Sequence, residues 1–175
     1  MIGAITFKER GATPRGMAKR LNVHKRAAGQ LMGNYFHRNL VDKRFTEPHA
    51  QEAGYTKRKG ESIPRGDKRF RRSYTGRKLR KYGHTRPLEF SGETRQRIRA
   101  YANITATSTS RHTTVKVAYP GARRFNLRHP KSRINMALEF RRIVPSEFTP
   151  LARVYDADLE QRLRSDSEPA IQRLA

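Results

Sequence analysis

Residues 46–87 constrain the fold more than any other part of the chain. This segment is rich in Gly, Pro, Lys and Arg, and its sparse apolar residues follow no clear helical or strand period. Between Lys57 and Lys81 cations far outnumber the two acidic residues, Glu61 and Asp67. A stretch of this composition buries too little apolar surface to fold alone. We therefore predict a long basic extended loop or arm that becomes ordered only when it docks, and insertions of this length usually have a function.

The whole chain shares this positive charge. Its 175 residues include 39 Lys and Arg against 15 Asp and Glu, a formal net charge of +24. Because such an excess repels itself in a compact state, we expect a polyanionic partner, with nucleic acid ranked first and an acidic protein surface second. The plain alternative is a solvated cationic surface. No basic amphipathic helix and no apolar run of about 18 residues is present, so no membrane partner is predicted.

Signals for catalysis or for bound cofactors are missing from the sequence. The chain has no cysteine, which excludes disulfides and thiolate metal sites. Its six histidines show no metal-ligand spacing, and no G-x-S-x-G turn or G-K-[ST] phosphate loop occurs. The first ten residues lack the apolar core of a signal peptide. We predict no enzyme, no catalytic residue, no cofactor, no metal and no small-molecule substrate.

The sequence on either side of the basic segment has clear secondary-structure patterns. Apolar residues at helical spacing after Thr13-Pro14 predict an N-terminal helix over 14–44. Two β-branched, alternating stretches around "TSTSR" predict a hairpin. An apolar stripe after Ser146 predicts a C-terminal helix with Ser146 as its N-cap, and the hairpin and this helix together span 88–164. Residues 165–175 read as a loose tail. The expected fold is one α+β domain over 1–175, with a small antiparallel sheet packed against both terminal helices.

Aromatic residues are interleaved with the cations of the basic segment and of the "GARRFNLRHPK" stretch. Tyr55, Phe70, Tyr74, Tyr82 and Phe125 can each stack on an exposed base or anchor a loop to its neighbour. The cations suit phosphate contact without base readout. The predicted nucleic-acid or partner contacts are Lys57, Arg58, Lys59, Arg65, Lys68, Arg69, Arg71, Arg72, Arg77, Lys78, Arg80, Lys81, Arg123, Arg124 and Arg128.

One motif follows the basic segment, in "RPLEFSGETRQRI", and a second short one, "RRF" at residues 123–125, precedes the final helix. Their order resembles the phage virion-morphogenesis and tail-completion proteins of the head–tail interface. In that family a "PL-x-x-[ST]-G-x-x-R-x-x-I" segment leads into the sheet. The matching positions here are Pro87, Leu88, Ser91, Gly92, Arg95 and Ile98. Among these we expect Pro87, Ser91 and Gly92 to form a structural turn. The stretch "SGETRQRI" reads either as a turn or as one helical turn with Ser91 as its N-cap.

The resemblance implies a structural virion protein assembled in the host cytoplasm. It would form a homo-oligomeric ring, sixfold or twelvefold, that joins portal or connector to the tail at the head–tail junction. Its basic arm would contact the backbone of packaged DNA or an acidic neighbouring ring. The alternative is a ribosomal protein that binds rRNA through a basic extension, since a high positive charge and interleaved aromatics suit that role as well.

Overall fold

The computed structural model describes residues 14–127 and 132–167, so the expectations for Arg128 and for the tail beyond residue 167 lie outside it. Residues 165–167 continue the last helix and are not a loose tail. The elements in chain order are α1 (Pro14–Tyr35), α2 (Glu47–Glu52), α3 (Lys68–Arg72), α4 (Tyr74–Tyr82), α5 (Glu93–Ala100), β1 (Asn103–Ser108), β2 (Thr113–Ala118), α6 (Met136–Arg141) and α7 (Pro145–Ser167). The fold class is α+β, as predicted.

The N-terminal helical region covers the predicted range 14–44, but its regular α-helix ends at Tyr35. After α1 the chain passes through one turn of π-helix, Phe36–Leu40, and one of 3-10 helix, Val41–Phe45. Gly29 and Gly33 lie where α1 crosses the hairpin: a Cβ added to Gly33 would sit 2.5 Å from Ile104 Cγ2. Glycine therefore costs helix propensity at these positions but permits a close approach of helix to sheet.

The predicted hairpin is present as an antiparallel pair. Its register runs from Asn103 opposite Ala118 to Ser108 opposite Thr113. Alternate residues are half-buried and exposed along both strands, as expected for a sheet with one covered face. The covered face includes Ile104 and Val115, which meet the glycine side of α1.

The C-terminal helix lies on α1 and completes the body of the fold. Arg44 and Glu147, each about 1% exposed, form a bidentate ion pair at 2.5 and 3.0 Å between the end of the N-terminal helical region and the start of α7. His24, in the middle of α1, meets Asp166, near the C-terminal end of α7, at 2.6 Å. Because a residue that follows α1 contacts the start of α7 and an earlier residue contacts its end, α1 and α7 run antiparallel.

The predicted cap of the C-terminal helix is wrong. Helix α7 already begins at Pro145, so Ser146 lies within it. The Ser146 hydroxyl and backbone N–H both donate to Glu52, at 2.7 and 3.0 Å, and so tie α7 to α2. These bonds stabilise the charged form of Glu52 and lower the pKa of its carboxyl group.

The prediction of an extended arm over residues 46–87 is also wrong. The segment contains α2, α3 and α4 and is joined to α6 through Arg58 and Glu139. Asp67 accepts a hydrogen bond from the Arg69 backbone N–H at 2.7 Å and caps α3; the Ser73 hydroxyl accepts from the Gly76 N–H at 3.1 Å and caps α4. Local capping therefore supplies order that the apolar pattern did not indicate.

Long-range polar contacts and a few apolar residues fix the segment to the rest of the chain. Arg58 forms a bidentate ion pair with Glu139, at 3.1 and 2.5 Å, across about eighty residues of sequence. The Thr56 backbone N–H also donates to Glu139, at 2.9 Å, while Phe70 is buried within the segment. The two contacts to Glu139 join residues that are distant along the chain, and for this reason composition alone underestimated the order.

The core lies where the 3-10 turn after α1 meets α5, α6, the turn at Leu88 and the short 3-10 helix Pro120–Asn126. Its buried side chains are Val41, Phe45, Leu88, Ile98, Phe125 and Phe140. No helix within residues 14–127 and 132–167 has the length and apolarity required to cross a bilayer.

Candidate nucleic-acid interface

The turn after the basic segment has two residues in the left-handed region. Leu88 has φ 53° and Gly92 has φ 88°. Gly92 adopts this conformation at no steric cost, whereas Leu88 bears the strain because its side chain fills the core. Pro87 is buried here, and the turn assignment agrees with expectation. Ser91 is exposed and does not cap α5; its N-cap residue is Gly92, without a side-chain hydrogen bond.

A buried carboxylate stabilises this turn. Glu89 accepts from Arg86 at 3.4 Å and from Arg95 at 3.2 Å, and His84 lies 3.5 Å away. Burial opposes the charge on Arg95, but hydrogen bonds to Asp42 and Glu89 outweigh burial and raise its pKa. Burial lowers the pKa of His84 despite the nearby Glu89 carboxylate. The motif arginine therefore stabilises the turn.

Two predicted contact residues are engaged within the chain. Lys78 is 3% exposed and its Nζ donates to the Arg86 carbonyl. Burial lowers the pKa of Lys78 to about 8, although Glu89 works in the opposite direction. Arg58 is committed to Glu139, and both side chains are largely buried. Their assignment as partner contacts is therefore corrected: both are structural groups.

Most of the other predicted cations are exposed and uncompensated. Arg69 pairs with Asp67 at 2.7 Å and Arg124 with Glu93 at 3.1 Å, both at the surface, where such pairs contribute little. Among the predicted contact cations, the exposed ones that form no ion pair within the described ranges are Lys57, Lys59, Arg65, Lys68, Arg71, Arg72, Arg77, Arg80, Lys81 and Arg123.

Acidic side chains, in contrast, are mostly paired inside the chain. The paired ones each have a basic partner within 4 Å, and several are buried with it. The acidic members of these pairs are Asp42, Asp67, Glu89, Glu93, Glu139, Glu147, Asp158, Glu160 and Asp166. The fold thus uses most of its negative charge internally and leaves the surface of the basic segment positive.

The aromatic residues separate into anchors and an exposed cluster. Phe70 and Phe125 are buried, and burial raises the pKa of Tyr55, so these three are anchors. Tyr74 and Phe90 are instead 38% and 44% exposed and lie nearly parallel, with ring centroids 5.6 Å apart and planes 24° from one another. Sequence analysis did not identify Phe90 as a contact residue. The sequence offers one indication, namely that Phe90 is an aromatic residue at one of the two unspecified positions of the "PL-x-x-[ST]-G" motif.

Helix α4 aligns cations with these rings. Tyr74, Arg77 and Lys81 are spaced by three and four residues and share one helix face. With Arg80 and Phe90 they line a surface groove of about 540 Å³. Tyr82 packs edge-on against Phe90, with centroids 4.9 Å apart. We call the set of Tyr74, Arg77, Arg80, Lys81, Tyr82 and Phe90 the aromatic–cation face.

The described ranges contain no candidate metal site, since no three His, Cys, Asp or Glu side chains there come close enough together to hold a metal ion. No family model and no curated protein matches the chain, and no solved structure matches it either. Its function therefore has to be inferred from the residues and their geometry.

Proposed function

We propose that this chain is a structural phage virion protein of the head–tail interface. It forms a ring that joins portal or connector to the tail, and its basic surface contacts the backbone of packaged DNA or an acidic neighbouring ring. The observation that carries this proposal is the charge separation: acidic groups are mostly paired internally, while the exposed cations of α4 and most of those of α3 have no ion-pair partner among the described residues. A surface of this kind favours binding to an external polyanion.

The geometry of the turn gives separate support. Leu88 fills the core, Gly92 has positive φ, and Ile98 is fully buried, so three positions of the family-like motif need the residue types that they carry. These are structural requirements of a joint between the basic segment and the body. A protein that connects a basic segment to its body through a turn of this kind would need the same residue types at these three positions.

The folded state of the basic segment changes the expected mode of contact. A disordered arm would lose conformational entropy on binding, whereas cations on α3 and α4 are already placed. Many copies in a ring would present the same cationic surface repeatedly, and repeated weak phosphate contacts add through multivalency. The proposed interaction is therefore preorganised and strongly salt-dependent.

Charge reversal on α3 tests the contact. The variant K68E/R71E/R72E changes three exposed, unpaired cations, and K19E/R20E/R26E makes the same charge change on exposed positions of α1. We expect the α3 variant to lose roughly tenfold or more in affinity for random duplex DNA, or for the adjoining ring protein, and to reduce the salt slope for DNA by about three contacts. The α1 variant should change both much less.

Native mass spectrometry tests the assembly. A sixfold or twelvefold ring, formed alone or with portal or tail protein, is the expected result. A chain that stays monomeric with these partners and binds DNA without salt dependence would overturn the proposal. Co-sedimentation with ribosomal subunits would favour the ribosomal alternative instead.

A further inference from the structure

We propose that the aromatic–cation face binds single-stranded nucleic acid. Unpaired bases stack on Tyr74 and Phe90, while Arg77, Arg80 and Lys81 contact the adjoining phosphates. This site goes beyond the proposed function, which needs phosphate contacts alone, and it holds or fails whether or not the chain forms a ring.

The rings are arranged as a stacking platform. Tyr74 and Phe90 expose more than a third of their surface, and their planes differ by 24°. Tyr82 meets Phe90 edge-on, with planes 70° apart, and so supports it from the side. An exposed, supported aromatic pair offers a preformed surface for a base, and every base has a π-face to place on it.

The charges around the rings match a nucleic-acid strand. Arg77, Arg80 and Lys81 line the same groove as the two exposed rings, and none of the three forms an ion pair among the described residues. Burial raises the pKa of Tyr74; the Arg58 guanidinium lowers this pKa, and the Glu61 carboxylate raises it. The groove is therefore cationic along the helix and apolar at the rings.

This combination favours unpaired bases over the other occupants. In a duplex the base faces are covered by their neighbours, so a duplex would use the cations and leave the rings unused. A protein partner would need acidic groups opposite three cations and an apolar residue opposite the rings. A single strand supplies a phosphate at every nucleotide and a flat base beside it, which complements both features at once.

A tryptophan reporter tests the stacking directly. The chain contains no tryptophan, so Phe90→Trp places a single reporter on the platform. We expect an oligo-dT strand of about 15 nucleotides to quench its emission, and a duplex of the same length to leave the emission nearly unchanged at equal occupancy. Phe148→Trp places the same reporter at an exposed aromatic position on α7, outside the predicted contacts, and should respond to neither.

Affinity measurements by fluorescence anisotropy provide the second readout. Tyr74→Leu/Phe90→Leu keeps apolar bulk but removes the π-faces; it should weaken oligo-dT binding roughly 5- to 100-fold and change duplex binding less than about twofold. Tyr101→Leu/Phe148→Leu, the same change at two other exposed aromatic positions, should change neither affinity. Circular dichroism checks that each variant is folded.

Three results would overturn the inference. The first is that a single strand does not quench the emission of the Phe90→Trp variant. The second is that Tyr74→Leu/Phe90→Leu loses affinity for single strand and duplex equally. The third is that this double variant binds oligo-dT unchanged but no longer binds an acidic protein partner. The last result would assign the face to a protein. Because K68E/R71E/R72E alters phosphate contact outside the face, a failure of the stacking site is distinguishable from a failure of the proposed function.

Discussion

The body of the fold and its basic segment are ordered by different means. In the body, α1, α7 and the hairpin pack closely, with Gly33 against Ile104 and a buried Arg44–Glu147 pair between the helices. In the segment, short helices depend on side-chain caps and on polar contacts to distant residues. Order in a short segment thus does not require an apolar period, provided that its helix ends and charges are satisfied locally.

Breaking the buried pair of the body should produce the largest effect. Glu147→Ala leaves Arg44 charged and unpaired in a buried site, and we expect a loss of about 3–5 kcal/mol in the free energy of unfolding. Urea denaturation measures it. The control, Glu160→Ala, removes an exposed partner of Arg164 and should cost less than about 1 kcal/mol. Equal effects of the two variants would contradict the role given to the buried pair.

The segment should respond to alkaline pH through Lys78. Burial lowers its pKa to about 8, below the 10.5 of an unperturbed lysine, so the unfolded chain binds more protons between these values. Stability should therefore rise by about 1–2 kcal/mol from roughly pH 8 to pH 9.5. In Lys78→Met this rise should be absent, because the titrating group is removed. An unaltered pH profile in the variant would show that Lys78 is not the source.

Close packing of helix on hairpin is tested by one methyl group. Gly33→Ala puts a Cβ 2.5 Å from Ile104 Cγ2, and we expect a cost of about 1–2 kcal/mol after the gain in helix propensity is included. At Gly66 the added Cβ would meet no described atom within 4 Å, so Gly66→Ala should be nearly neutral. Thermal denaturation compares the two. A stabilised Gly33→Ala variant would mean that the helix and hairpin have room to separate.

The smallest effect is expected from a single cap of the segment. Ser73→Ala removes the acceptor for the Gly76 N–H and should cost about 1 kcal/mol. Because the loss is local, trypsin should cleave faster within α4 while the body remains protected. Ser62→Ala, at an exposed serine in the same segment, is the matched control. Unchanged cleavage in Ser73→Ala would argue against capping as the source of order.

The sequence predicted those elements whose residues follow a period. The hairpin and both terminal helices were predicted from alternation and helical spacing, and the structure confirms them. The folding of residues 46–87 was not predicted, because partners such as Arg58 and Glu139 lie far apart along the chain. Helix α5 was expected only as a turn or a single helical turn, since its apolar face reduces to Ile98.

The candidate site was predicted in part for the same reason. The sequence located the cations but did not distinguish exposed Arg77 from buried Lys78, which are adjacent and chemically alike. Exposure depends on which helix face meets the body, and α4 has too few apolar residues to indicate that face. Phe90 belongs to the site through its contact with Tyr74, which arises from the turn at Leu88.

The left-handed leucine has a mechanical consequence. Leu88 tolerates backbone strain to keep its side chain in the core, so the link between the two regions cannot swivel without pulling that side chain out. The charged helices are consequently held at a set angle to the body. In a closed ring of identical copies, every subunit would present its charges at the same height and orientation. Nucleic acid that passed through such a ring would meet evenly spaced positive charges.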